Sequence, residues 1–251
     1  MSPDLPANSP LVSFVIPTKE EEGYIGALLR NLRTASETSE LPVETIVVDS
    51  RSADRTIAEA TGLADRVIAD CDLACASIAH ARNAGARLAT GEFLFHTDAD
   101  VLIPDLAALL GRAAREFADP ATVAVTARVM PYPWESTWRD DAIHRVANAF
   151  FRSSRWYGSR FSRGECQIVR RSAFEAVGGY TGRYISGEDC DLFHRLHRVG
   201  RVIYLTDQQV YHSLRRFRRD GYMRTLGIYV REWLWMSLLD RSFVTEWRVV
   251  R

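Results

Sequence analysis

The residues of this sequence best placed to do chemistry are the two carboxylates that close the stretch EFLFHTDAD, Glu92–Asp100. Phe93, Leu94 and Phe95 follow the turn signal Thr90-Gly91 and read as a short buried strand. That strand runs out on Asp98 and Asp100, with only Ala99 between them. Two unpaired carboxylates at the end of an apolar strand repel each other and lose hydration. A hard divalent cation, Mg2+ or Mn2+, removes that penalty and also neutralises the phosphates of a substrate. Taken alone, the stretch fits equally well an acidic strand end in water, or an N-cap for a helix starting near Pro104.

Other groups of the same kind are spread along the chain. Asp49 opens a polar loop, Asp49–Asp54, at the carboxyl end of the apolar run Val43–Val48. Glu188 and Asp189 follow Gly187 at the start of a helical pattern, Cys190–Val199, that Gly200 closes. His212 stands just beyond two short strand-like runs, Val202–Leu205 and Gln209–Tyr211. His96, inside the central strand, reads as a core histidine.

The elements that must position these groups alternate between strand and helix. Leu11–Pro17 is an apolar, β-branched run closed by proline, hence a buried first strand. Glu20–Leu32 puts acids first and then Ile25, Leu28, Leu29 and Leu32 at helical spacing. Asp54 is placed to cap a helix reaching Ala60; Arg66–Ile68 is a short strand and Ile78–Leu88 a helix. Beyond the central strand come a strand over Val123–Met130 and helices over Asp140–Arg152 and Ser172–Val177, with a loop, Trp156–Gly164, that carries Arg160 and Arg163. This order predicts an α/β fold with a mostly parallel sheet flanked by helices. Ligands of such sheets bind outside the carboxyl ends of the strands, where Pro17-Thr18, Asp49 and Asp98–Asp100 would converge. PTKEEEG after the first strand is not a dinucleotide-binding G-x-G-x-x-G, which argues against an NAD enzyme.

Composition sets the outer limits. The 251 residues carry no formal net charge, but basic against acidic residues number 10 to 19 in 1–127 and 22 to 13 in 128–251. That asymmetry suits a metal-and-phosphate site in front and an anionic partner behind; a solvated surface bias reads the same way. Cys71, Cys75, Cys166 and Cys190 complete no zinc pattern and fit a reduced, cytoplasmic setting. Met1–Pro10 is polar and proline-rich, read as disordered and not as a signal peptide, and no run of about eighteen apolar residues occurs.

Five blocks, FVIPTKEEEGYIGALL, IVVDSRSADRT, ARNAGARLATGEFLFHTDAD, RRSAFEAVGGY and SGEDCDL, resemble in that order the signature blocks of family 2 glycosyltransferases of the Rossmann-like GT-A fold. The resemblance spans about residues 11–212. It implies a nucleotide-diphospho-sugar donor (a UDP-sugar foremost), a divalent Mg2+ or Mn2+, and inverting transfer of a hexose to a hydroxyl of a glycan or lipid-linked acceptor. A nucleic acid is not among the expected partners. Position by position, Pro17, Thr18 and Glu21 match the nucleoside-binding loop, Asp49 the acid that holds the base, and Arg82 a residue near the nucleotide. Asp98 and Asp100 match the metal-binding pair, Asp98 also facing the donor, and His212 a histidine that contacts metal or diphosphate. Asp189 matches the catalytic base, with Glu188 beside it. The chain departs from the family pattern at Ser50, where a second acid is common, and at Lys19-Glu20, which replace a Tyr-Asn pair.

Inverting transfer is a single in-line displacement, so one base must take the acceptor proton from the face opposite the leaving group. The leaving diphosphate needs its charge neutralised, which a cation on Asp98 and Asp100 would do. Plainer roles stay open: Asp189 as an N-cap, Asp49 as a turn residue, His212 as a strand-end histidine, Arg82 as a solvated helix residue. Trp134 and Trp138 read as core packing before a sugar platform. Rival functions are a nucleotide-sugar-binding protein without catalysis and a nucleotidyltransferase; the latter would carry a glycine-rich, basic loop where this chain is acidic.

The organisation expected is a disordered 1–10, a catalytic domain over 11–212 and a helical, basic and aromatic extension over 213–251. In the extension Arg215, Arg216, Arg218 and Arg219 crowd around Phe217, and Tyr229, Trp233, Trp235, Met236, Leu238, Leu239, Phe243 and Trp247 follow. One reading is an interfacial helix giving peripheral contact with the cytoplasmic membrane face, its arginines meeting anionic headgroups or the diphosphate of a lipid-linked acceptor. In the other its aromatics dock on the domain or on a second copy, and its arginines flank the donor site.

Overall fold

β-Branched residues buried on both faces build the centre of the sheet, as expected for parallel strands covered by helices. The computed structural model describes residues 12–39, 42–69, 77–153, 161–239 and 242. Met1–Pro10, Cys71, Cys75, Trp156, Arg160, Phe243 and Trp247 lie outside the described residues, as do the side chains of Trp233, Met236, Leu238 and Leu239. The first half runs β1 (Val12–Thr18), α1 (Ile25–Ser39), β2 (Val43–Asp49), α2 (Thr56–Ala60), β3 (Arg66–Ile68), α3 (Ile78–Leu88), β4 (Phe93–His96), β5 (Val101–Leu102) and α4 (Leu106–Phe117). The second runs β6 (Thr122–Pro131), α5 (Trp138–Ser153), β7 (Gln167–Arg170), α6 (Arg171–Ala176), α7 (Glu188–Val199), β8 (Arg201–His212), α8 (Arg215–Asp220) and α9 (Tyr222–Leu239).

Among the described residues the strands form one sheet in the order β3-β2-β1-β4-β7-β6-β8-β5. Pairings among β3, β2, β1 and β4 are parallel, as is β6 with β8, whereas β7 is antiparallel to both neighbours and β5 to β8. The sheet is therefore mixed. Alternate side chains feed two cores. Phe14, Ile16, Phe93 and Phe95 pack under α1 and α4, and Ile46, Val48 and Leu94 pack with Phe174, Leu192 and Phe193 on the other face. Gly85 of α3 lets that helix approach β1 and β2, since a Cβ there would lie 2.6 Å from Val15 Cγ1.

Several sequence expectations shift. The helix predicted from Glu20 starts at Ile25, because the backbone and carboxylates of Glu20–Glu22 bind the loop after β2 instead. The two closing strands are one, β8, whose register against β6 jumps between Ala127 and Arg128. β5 and β7 had no strand prediction. Asp105, not Asp98 or Asp100, caps α4, accepting from the Ala108 N–H at 2.8 Å. Trp134 and Trp138 are 69% and 75% exposed, so the core-packing reading is wrong for both. Trp134 instead stacks on Tyr132 at the rim of a cleft of about 220 Å3, also lined by Tyr24. His96 is a core histidine as read, packed on Phe174 and Tyr180 and kept neutral by burial.

Candidate active site

The carboxyl ends of β1 and β2 present two loops bound to each other. Thr18 and Asp49 are register partners, and buried Asp49 accepts from the Thr18 hydroxyl at 2.9 Å. Its carboxylate also takes the Ser52 N–H at 2.7 Å and the Ser52 hydroxyl at 2.6 Å. Glu20 and Arg51 both sit at φ 58°, an uncommon conformation for residues with a Cβ, and both lie in these loops. Cross-bonds hold the pair together: Glu21 N–H to Thr56 Oγ1 at 2.7 Å and Gly23 N–H to Glu59 Oε2 at 2.9 Å. Asp54 accepts from the N–H and hydroxyl of Thr56 at the start of α2, but the N-cap position is taken by Arg55, one residue later than expected.

Next to these loops lies an acidic cluster organised by one guanidinium. Arg82 is 1% exposed, which overturns the solvated-residue alternative. Its Nη2 donates to Asp98 Oδ1 at 2.7 Å and its Nη1 to Glu188 Oε1 at 2.9 Å, with Gly164 O at 3.4 Å. The guanidinium also lies 5.3 Å from the Tyr180 ring centroid. A second arginine, Arg215, serves Asp100 in the same way. Its Nε lies 3.2 Å from Asp100 Oδ2 and its Nη2 donates to Glu21 Oε1 at 2.7 Å, while its guanidinium stacks 4.6 Å from the Tyr24 ring. Of the tail arginines, expected either at anionic headgroups or flanking the donor site, Arg215 lies against the acid pair.

Gly187, in the left-handed region at φ 85°, turns the chain into α7. It occupies the N-cap position, so Asp189 lies inside the first turn and is not the N-cap. Asp189 is half-buried, and its Oδ1 accepts from the Cys190 N–H at 2.7 Å. Gln167 of β7 holds the Asp189 carbonyl at 3.2 Å.

Burial raises the proton affinity of Glu21, Asp98, Asp100, Glu188 and Asp189. Asp100 is pushed up to about 7 by burial and by Glu21, Asp98 and Glu165, against the opposing pull of Arg215. Burial raises Glu188 too, with Asp189 adding to it, and Arg82 opposes. Asp189, Asp98 and Glu21 shift upward mainly for the same reason.

His212 sits beside this cluster. It is the register partner of Val101, and the Ser213 N–H bonds the Asp100 carbonyl. Its Nε2 lies 2.9 Å from Nε2 of buried His144, whose Nδ1 donates to the Asp140 carbonyl at 2.9 Å. Burial and Arg163 keep His212 neutral, with its Nδ1 3.4 Å from Glu165 Oε1. His144 and Glu165 carried no sequence signal.

Thr18, Glu21, Asp49, Arg82, Asp98, Asp100, Glu188, Asp189 and His212 thus gather at one end of the sheet. Among the described residues no three His, Cys, Asp or Glu side chains are arranged to hold a metal by themselves. The donor set still fits a hard cation: Asp98, Asp100 and Glu21 crowd their carboxylates together, and buried Glu21 Oε2 has no hydrogen-bond partner. Mg2+ characteristically takes one or two carboxylates and completes its shell with water and substrate phosphate, which this site permits.

Known proteins share both pattern and architecture. Residues 13–178 match the model of Glycosyl transferase family 2. The beta-monoglucosyldiacylglycerol synthase of Synechocystis sp. is 27% identical over 248 residues, covering 90% of this chain and 50% of that protein, so the chain spans about half its relative's length. A mannosyltransferase from Pyrobaculum calidifontis, solved with GDP-Man and Mn2+, superposes with a TM-score of 0.64 at 23% identity, covering 90% of this chain and 65% of the other. Glucosyl-3-phosphoglycerate synthase from Mycobacterium tuberculosis, solved with Mn2+, UDP and glucosyl-3-phosphoglycerate, gives 0.61 at 18% identity, covering 96% and 82%. These structural likenesses establish the fold as GT-A.

Proposed function

The chain belongs to glycosyl transferase family 2, and on that premise we propose that it transfers a hexose, with inversion, from a nucleotide-diphospho-sugar to an acceptor hydroxyl. The observation that carries this is Arg82, which ties Asp98 of the strand end to Glu188 and so fixes neighbouring Asp189 beside the acid pair. In this reading Asp49, Thr18, Pro17 and Glu21 frame the nucleoside, a UDP-sugar being the first donor to test. Asp98 and Asp100 hold Mg2+ or Mn2+, with His212 at the edge of the same site. The bound cation supplies neutralisation of the diphosphate's charge. Asp189 accepts the proton of the acceptor hydroxyl as its oxygen bonds to the anomeric carbon. The electron pair of the breaking C–O bond leaves with the nucleoside diphosphate. Glu188, pinned by Arg82, positions Asp189 and does not take the proton itself.

The acceptor is a hydroxyl of a glycan or of a lipid-linked molecule, and the relative that makes a glucosyldiacylglycerol favours the lipid. Among the described residues no helix is long and apolar enough to cross a membrane. The deciding experiment incubates the protein with a panel of UDP- and GDP-sugars, with Mn2+ or with EDTA, and follows nucleoside diphosphate release. Metal-dependent release from one donor is expected. Donor binding without release or transfer would reduce the protein to a nucleotide-sugar-binding module.

A further inference from the structure

Helix α9 turns an apolar stripe outward. Among its described side chains the buried ones are Thr225 and Glu232, two turns apart on one face, with Ile228 and Trp235 half-buried beside them. On the other side Met223, Leu226, Val230 and Leu234 follow one another at spacings of three and four, with Met223 87% and Val230 56% exposed. Packing of α9 on its own domain leaves this stripe uncovered. The helix is also tied down on either side. At its start, Tyr222 donates to Asp140 Oδ1 at 2.6 Å, and Arg218 of α8 donates to the same carboxylate. Beyond its end, Ser242 Oγ accepts from the Ile185 N–H at 2.8 Å, two residues before the Gly187 turn that carries Glu188 and Asp189. The apolar face is therefore held in place, facing out.

Charge says what covers it. Arg224 and Arg231 lie along one flank of the apolar stripe, about 80–100° around the helix from Met223. The half of the chain that contains them, 128–251, carries 22 basic against 13 acidic residues. An apolar face bordered by arginines is what an anionic bilayer accepts: side chains enter the acyl boundary and guanidinium groups stay among the headgroups. A second copy of this basic half would bring like charge against like. We propose that the outward face of α9 docks on the surface of an anionic bilayer, orienting the Glu188–Asp189 turn toward the membrane. The proposal deepens the lipid-acceptor reading but is tested without any sugar transfer.

The experiment is flotation of the full chain with phosphatidylglycerol-containing vesicles, with pure phosphatidylcholine vesicles as control. Flotation with the anionic vesicles at low salt is expected, weakening at about 0.5 M NaCl, where screening shortens the Debye length to roughly 4 Å. Met223→Glu/Val230→Glu should cut the bound fraction on the order of tenfold or more, since each carboxylate must enter the acyl boundary. Arg224→Glu, at an exposed position, should also weaken it. Unchanged melting temperature and unchanged UDP–Mn2+ binding show that the variants fold. Wild-type protein left unfloated at low salt, or variants that float as wild type does, overturn the proposal. So does a wild-type dimer in sedimentation that Met223→Glu/Val230→Glu dissociates, which assigns the face to a second copy. Vesicle binding without sugar transfer would refute the transferase reading and leave this one standing.

Discussion

Replacing Arg82 by methionine removes the one charge that joins the two halves of the acid cluster while keeping an unbranched side chain of similar reach. The guanidinium is 1% exposed and meets Asp98 at 2.7 Å and Glu188 at 2.9 Å. Deleting one member of a buried ion pair strands the other and costs about 3–5 kcal/mol. Glu188 is fully enclosed, but 31% of the Asp98 side chain is exposed, so its share is screened and the lower figure applies. A loss of about 3 kcal/mol in a chain of this size lowers Tm by roughly 6–12 °C. The loss depends on pH with a definite sign. Glu188 already binds its proton more tightly folded than unfolded, and without Arg82 it does so more strongly. A folded state that holds extra protons loses stability as pH rises. With Arg82 present Glu188 keeps its proton up to about 8, and without Arg82 it keeps it further. The deficit of Arg82→Met should therefore grow between about pH 7 and pH 9. Urea unfolding followed by tryptophan fluorescence at those two pH values measures it. Adding Glu188→Gln to the variant should restore part of the loss at pH 9. A deficit under about 1 kcal/mol at pH 9, or one that does not change with pH, would refute the assignment of Arg82 as the counter-ion of a buried carboxylate.

Three more expectations concern the chemistry. Asp189→Asn keeps the shape of the α7 turn but cannot take a proton, so kcat should fall by roughly 10²–10⁴-fold with UDP affinity nearly unchanged; a few-fold loss would move the base to another residue. Because burial holds Asp100 at about 7, protons compete with the cation, and Mn2+ affinity measured by calorimetry with UDP present should fall as pH drops below 7. Asp100→Ala should weaken that affinity and flatten its pH dependence; an unaltered titration would place the cation elsewhere. Arg215→Gln frees Asp100 and Glu21 from their shared counter-ion, so Mn2+ alone should bind more tightly while UDP binds less tightly. If both affinities move the same way, Arg215 does not stand between the cation and the diphosphate.

The legible parts of this protein are those that one stretch of chain decides. β1, β2 and β4 announce themselves because strands buried on both faces must be apolar throughout, and their polar ends mark where burial stops. β7 was silent because half of it is polar: Gln167 is fully buried only by virtue of bonds to Tyr180 and the Asp189 carbonyl. The partners of Arg82 were equally silent, since Glu188 lies 106 positions away and nothing local distinguishes a buried arginine from a solvated one. The three acids before α1 looked like a helix start because acids favour that position, but the neighbouring loop offered them stronger hydrogen-bond partners. The tail spread its apolar residues widely, and only the placement of Thr225 and Glu232 shows which face of α9 looks inward.

The reversed direction of β7 is what builds the candidate site. β1, β2 and β4 point their carboxyl ends at the candidate site, and so do β6 and β8. Another parallel strand between β4 and β6 would have delivered one more carboxyl end there. β7, running the other way, brings the residues just before it, Gly164 and Glu165, to the same edge, where Glu165 O accepts from Thr97 Oγ1 at 2.8 Å. This reversal puts a glycine against the guanidinium of Arg82, at a spot where any Cβ would lie 2.5 Å from Nη2. It also sets Gln167 under the Asp189 carbonyl. A side chain at position 164 would push Arg82 off Asp98 or off Glu188, and either shift uncouples the acid pair on β4's end from the turn that carries Asp189. The contact that organises the chemistry therefore depends on a strand direction and a missing side chain, neither of which ionises or touches substrate.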